Sequence, residues 1–204
     1  MDRTEVSSPG RSETESTVPT VNSIETAPHG KVVAVCVGPQ HRFSKTPCLS
    51  IKLIAGHGIE GDVHSGPFMR HRYLARRNPR APNLRQVHLI PAELLQGSEV
   101  AGYDVEPGDL GENITTVGID LERLPLDTEL RIGDATIRLT GLRTPCVLID
   151  RFRRGLKARL IAQESGPPFR AGVMAIVTEG GLIVPGDVIR AILPATPRRA
   201  LPAI

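Results

Sequence analysis

Arg143-Thr144-Pro145-Cys146 is the stretch of this 204-residue chain with the clearest capacity for chemistry. An apolar strand pattern gives out just before it, and a short helical pattern begins just after it. Pro145 suits a first helical turn, where its missing N–H would have no partner anyway. A thiol at a helix start feels the positive end of the helix dipole, and Arg143 stands three residues upstream. Both favour thiolate over thiol. A thiolate can serve as nucleophile, sulfur carrier or soft metal ligand. The competing reading makes Cys146 a small buried apolar residue, the usual fate of a free cysteine.

Other residues of suitable type flank this stretch. In Gly61-Asp62-Val63-His64, Asp62 and His64 alternate, so on extended backbone they would point the same way. The glycines at 56, 58, 61 and 66 permit close approach of backbone to a ligand. From 69 to 85 the chain carries Arg70, His71, Arg72, Arg76, Arg77, Arg80 and Arg85. Arginine forks match phosphate oxygens bidentately, although a solvated basic loop would look the same. Only Phe68 and Tyr73 interleave there, too few for a platform that stacks single-stranded nucleic acid. Glu112 and Asn113 follow a glycine turn and either meet a ligand's polar edge or close the turn, which is the simpler reading.

These side chains need a scaffold, and the chain predicts one rich in short strands. Residues 31–37, 49–54, 86–90, 128–132, 135–142, 173–177, 182–184 and 188–193 read as strands. Gly133-Asp134 marks a hairpin. Short helices are predicted at 91–96, directly after Cys146, and over 156–163. Cys36 falls inside the first strand and reads as core; Cys48 has no chemical company. Many short strands between turns argue for a mainly β barrel or sandwich rather than βαβ units. Aromatics are 3% and Trp is absent, so Val, Ile, Leu and Ala must build the core.

Residues 1–28, rich in Ser, Thr, Glu and Pro, predict a disordered tail, because they have little to bury. The domain is expected over 29–194, followed by a loose Pro- and Arg-rich tail at 195–204. A net charge of +3 suits an anionic ligand such as a phosphate ester and is too small to call for nucleic acid. Three widely spaced cysteines form no zinc ribbon or disulfide framework, which predicts a reducing cytoplasm. No run is apolar enough to span a membrane, and the start lacks the basic-then-apolar order of a signal peptide.

Taken together, several pieces resemble a MOSC domain, the C-terminal domain of molybdenum-cofactor sulfurases, over about residues 31–193. They are Gly61-Asp62-Val63-His64, Asn83-Leu84-Arg85-Gln86-Val87-His88-Leu89-Ile90, the Gly-Glu-Asn-Ile-Thr-Thr run from Gly111, Arg143-Thr144-Pro145-Cys146, and Gly186-Asp187. The resemblance is to small stand-alone members, and it implies a strand-rich, barrel-like fold with a few short helices. It also implies binding of the molybdenum cofactor, with Cys146 as metal ligand or sulfur carrier. His64, Arg85, His88, Glu112, Asn113 and Arg143 become pocket candidates. Arginines would hold the cofactor's phosphate, while Glu112 and Asn113 would read its ring. Pyridoxal phosphate is a family-level possibility; in multidomain relatives it belongs to an aminotransferase-like domain for which this chain is too short.

Two functions follow as expectations. One is an oxidoreductase in which molybdenum ligated by Cys146 removes oxygen from an N-hydroxylated small molecule, with electrons from a donor protein. The other is a sulfur-transfer module in which a Cys146 persulfide, charged by a sulfur-donor protein, sulfurates a metal centre. A weaker third reading is a divalent-metal hydrolase using Asp62, His64, His88 and Glu112, whose spacing matches no recognised zinc motif.

Overall fold

The computed structural model describes residues 1, 27–69, 80–97, 100–161 and 166–204. The proposed N-terminal tail thus lies almost wholly outside the described residues, as do Arg70 to Arg77 of the basic stretch and the end of the helix expected to reach 163.

Seven strands close into a barrel in the order β1 (His29–Val37), β6 (Ile114–Val117), β5 (Val87–Pro91), β9 (Val173–Glu179), β8 (Ala135–Leu142), β7 (Glu129–Ile132) and β11 (Val188–Ile192). Closure comes from β1 pairing with β11, at His29↔Arg190 and Lys31↔Val188. The pair β5–β6 is parallel and its neighbours are antiparallel. Strand β2 (Thr46–Cys48) lies on the outer edge of β1, while β3 (Ile51–Ile54), β4 (Gly58–Ile59) and β10 (Gly181–Ile183) form a separate small sheet. The fold is therefore mainly β, as expected. Helices are short: α1 (Ala92–Leu95), α2 (Val147–Phe152) and α3 (Leu156–Arg159). No described helix is long and apolar enough to cross a membrane.

Side-chain alternation explains how two cores arise. On β11, Ile189 and Ala191 are buried while Val188, Arg190 and Ile192 are exposed, the period of a strand with one solvated face. Strand β5 is buried on both faces. Val87 and Leu89 point into the barrel core, and Ile90 joins a second cluster with Leu94 of α1, Ile149 of α2 and Leu156 of α3. His88 shares a face with Ile90. The site lies at that seam.

The C-terminal tail expected to be loose is not loose. Leu201 is 6% exposed within the barrel core, Leu126 N donates to Arg199 O, and Pro202-Ala203-Ile204 pairs with the end of β8. The end of β8 exposes N–H groups that need acceptors. Leu201 supplies an apolar anchor beside them.

Candidate functional site

An open cleft of about 810 Å³, continuous with solvent, brings together the end of β8, strand β5 and the loops around 42–45, 64 and 110–113. Cys146 sits on its wall, half-buried, as the residue capping the N-terminus of α2. Its backbone is extended (φ −106°, ψ 170°) and its carbonyl accepts from Ile149 N at 3.2 Å, so the thiol enters from a loop-to-helix junction as predicted.

Arg143 is 6% exposed, and its backbone N–H donates to Gly172 O at 3.0 Å. Its guanidinium reaches the thiol, Nη2 to Cys146 Sγ at 3.8 Å, but Nη1 is buried with no hydrogen-bond partner among the described residues. Arg85 is half-buried on the same cleft and forms no ion pair with a carboxylate among the described residues. Burial and then Arg143 draw the Arg85 guanidinium below its ordinary value, with Cys146 pulling the other way. Two desolvated cations thus face the cleft, and among the described residues neither forms an ion pair with a carboxylate, although Cys146 and Glu112 act on Arg143 electrostatically. The arrangement asks for an anion.

Behind this pair stands a structural hub at Asp62. Its Oδ2 accepts from Lys45 Nζ at 2.8 Å, Asn113 Nδ2 at 3.0 Å and Gly38 N at 3.1 Å. Its Oδ1 accepts from His64 N at 2.9 Å and lies 3.4 Å from His64 Nδ1. Burial would raise this carboxyl, but His64 and Lys45 outweigh it and hold it well below the usual carboxylate range. Lys45 is buried enough to fall below its ordinary value even against Asp62. Asp62 and His64 meet through a turn, with Ser65 N donating to Asp62 O, rather than by alternation along a strand.

Six of the seven predicted residues line the cleft: His64, Arg85, His88, Asn113, Arg143 and Cys146. Two of these have their polar atoms engaged by the fold. His88 Nε2 lies 2.9 Å from Ala171 O, and burial followed by Arg143 keeps the imidazole neutral, well below its ordinary value. Asn113 donates to Cys36 O and Asp62 and accepts from His88 N, tying β1, β5 and the Asp62 turn together. Glu112 is not on the cleft. It is fully buried, its Oε1 accepts from Gly108 N, and burial raises its carboxyl above the ordinary value despite that bond. It closes the glycine turn, so its expected role against a cofactor ring is corrected.

The hydrolase reading gains no support from the described residues. Among the described residues, no group of three or more His, Cys, Asp and Glu side chains can hold a metal ion. Asp62 is engaged by Lys45, His88 by Ala171 and Glu112 Oε1 by Gly108, while Glu112 Oε2 has no hydrogen-bond partner among the described residues. Sequence reasoning missed Lys45, along with Phe43, Thr144, Leu148 and Met174 on the walls. Ser44-Lys45-Thr46 carries no motif signal; only its spatial partner, Asp62, gives Lys45 away.

A MOSC domain family model matches residues 60–190. The chain belongs to the MOSC domain family. Among solved structures, the YuaD protein from Bacillus subtilis is similar with a TM-score of 0.67 at 20% identity, over 82% of this chain and 97% of that one. YiiM from Geobacillus stearothermophilus is similar with a TM-score of 0.58 at 17% identity, over 84% and 79%. YiiM from Escherichia coli gives a TM-score of 0.55 at 20% identity, over 84% and 73%. Likeness at such identity speaks for the shared fold. A search of curated proteins finds no match.

Proposed function

We propose that this chain binds the molybdenum cofactor in the Cys146 cleft and acts as an oxidoreductase on N-hydroxylated small molecules. The observation that carries this is the buried Nη1 of Arg143, without a hydrogen-bond partner among the described residues, beside a half-buried thiol. Cys146 supplies one soft sulfur donor, which suits a metal whose other ligands are dithiolene sulfurs. Arg143 and Arg85 supply cationic forks for a phosphate. The donor set therefore fits the group without a multidentate protein metal site. When bound, the cofactor supplies two-electron redox chemistry.

The chain's own residues bind and orient. Arg143 and Arg85 hold the anionic end, and their desolvation strengthens that hold because less water competes. Cys146 Sγ fixes the metal end from a backbone position set by β8 and α2. His64, whose side chain is 40% exposed at the mouth, stands where an entering substrate would pass. The wall built by His88 and Asn113 is rigid because their polar atoms are already bonded. Pyridoxal phosphate fits poorly: the lysine on this cleft, Lys45, is spent on Asp62 at 2.8 Å. The three free cysteines suit a reducing cytoplasm.

The test uses protein made in a host that synthesises the cofactor. Reduction of an N-hydroxylated amidine to the amidine, driven by an artificial electron donor and lost on removing molybdenum, is the expected result. A persulfide on Cys146, with no molybdenum bound and no reduction, would replace this reading with sulfur transfer.

A further inference from the structure

Leu201-Pro202-Ala203-Ile204 lies against the stretch that delivers Arg143 and Cys146 to the cleft. Beyond Gly141 the backbone is held from both sides in alternation. Arg143 N donates inward to Gly172 O at 3.0 Å. Leu142 N donates outward to Pro202 O at 2.7 Å, and Thr144 N to Ile204 O at 3.1 Å. Ile204 N returns a bond to Leu142 O at 3.0 Å, in a parallel pairing of Leu142 with Ala203. The Thr144 hydroxyl adds a further bond to Ile204 O at 2.9 Å. Leu201, buried in the barrel core, anchors the segment. Gly141 is its seat, since a Cβ there would stand 2.6 Å from Pro202 O and 2.9 Å from the Ile204 side chain.

We propose that residues 201–204 form a strap that positions Arg143 and Cys146, beyond any contribution to packing. The inference rests on the reading that these two residues do the chemistry. Among the described residues the Arg143 guanidinium makes one hydrogen bond, at 3.8 Å to Cys146, and its Nη1 makes none. With so few polar partners on the side chain, its orientation depends on the course of its backbone, and four of the five bonds just named along that backbone belong to the strap. Cys146 lies two residues past Thr144, the last residue the strap grips. Misplacement by about 1 Å in a positioned site can cost on the order of 10²-fold in rate, so a segment touching no ligand can still govern the cleft.

The experiment compares the full chain with a version ending at Ala200, with Thr144→Val, which removes the hydroxyl bond, and with Thr144→Ser, which keeps it. Alkylation of each cysteine by iodoacetamide is followed by mass spectrometry, with fully buried Cys36 as internal reference. Ending the chain at Ala200 should change the Cys146 rate at least about fivefold while Cys36 stays protected. Thr144→Val should move it the same way by less, and Thr144→Ser should restore the parent rate. An unchanged Cys146 rate overturns the proposal. So does a rise in Cys146 and Cys36 together, which would mean general loosening. Molybdenum is measured alongside: if the parent protein holds none, the cofactor reading falls while the thiol rates still decide the strap.

Discussion

Arg143 carries its charge into a wall whose described residues offer its Nη1 no hydrogen bond, and a buried charge so poorly paired is costly unless a ligand answers it. Arg143→Met keeps the length and removes the charge. Thermal melts of the cofactor-free protein should show it as stable as the parent or more so, since about 1–3 kcal/mol of desolvation is relieved, while molybdenum retention falls. A sharp loss of stability would make Arg143 structural. Cys36 is a contrast to Cys146: it is fully buried in β1, and burial followed by Glu112 pushes its thiol up to about 12. Cys36→Ser should lower stability by about 1–3 kcal/mol if its hydroxyl finds no partner and leave loading of folded protein intact. Asp62 gives a pH dependence. Its folded carboxyl lies below an unfolded value near pH 4, so its stabilisation is complete above that pH and lost as pH falls below it. Asp62→Asn should cost about 3–5 kcal/mol near pH 7, because Lys45 stays buried without its partner. It should also flatten the fall in melting temperature on acidification, as followed by circular dichroism from pH 6 to pH 2.

At the scale of elements, the cleft depends on how closely the backbone behind it can approach. Gly172 adopts φ +79°, and a Cβ there would strike the Leu89 carbonyl of β5. Its N–H donates to Glu122 and its carbonyl receives Arg143 N. Gly172→Ala should therefore destabilise by more than about 1 kcal/mol, read by denaturant titration, and disturb Cys146 reactivity through Arg143. The strands were legible because burial on one face imposes a period of two, as on β11, and Gly133-Asp134 marked its hairpin through turn chemistry. The helix start after Cys146 was legible from the change of pattern, but Pro145 lies ahead of the helix rather than in its first turn, since α2 begins at Val147 with Cys146 as its N-cap. The strap was not, because its partner is a strand end about 60 residues away and its Pro- and Arg-rich composition has no period. Lys45 stayed hidden for a related reason. His88 and Ala171 are 83 residues apart and Asp62 and Asn113 are 51 apart, so which candidates are ligand-facing and which are fold-bound is decided by contacts no local pattern encodes.

For the whole molecule, the barrel closes through β1 and β11, and Ala191 N reaches back to Pro28 O. Among the described residues, pairing is present from Pro28 and His29 onward, and the tail expected before them lies outside the described residues. A chain starting at Pro28 should keep the parent melting temperature and molybdenum content; a clear drop in either would make the first residues part of the domain. The small net charge of +3 understates the cleft, where Arg85 and Arg143 gather cations that the sequence scatters over 58 residues. That local concentration of positive charge is what the proposed binding of an anionic cofactor draws on.

Metal analysis tests the central claim most directly: molybdenum per chain in the parent protein and in Cys146→Ser, both made in a cofactor-competent host. The serine variant is nearly isosteric but replaces a soft sulfur donor with a hard hydroxyl. The parent should carry near-stoichiometric molybdenum, and the variant should lose most of it while melting within a few degrees of the parent. Molybdenum retained in full by Cys146→Ser, or absent from a folded parent, would contradict the account.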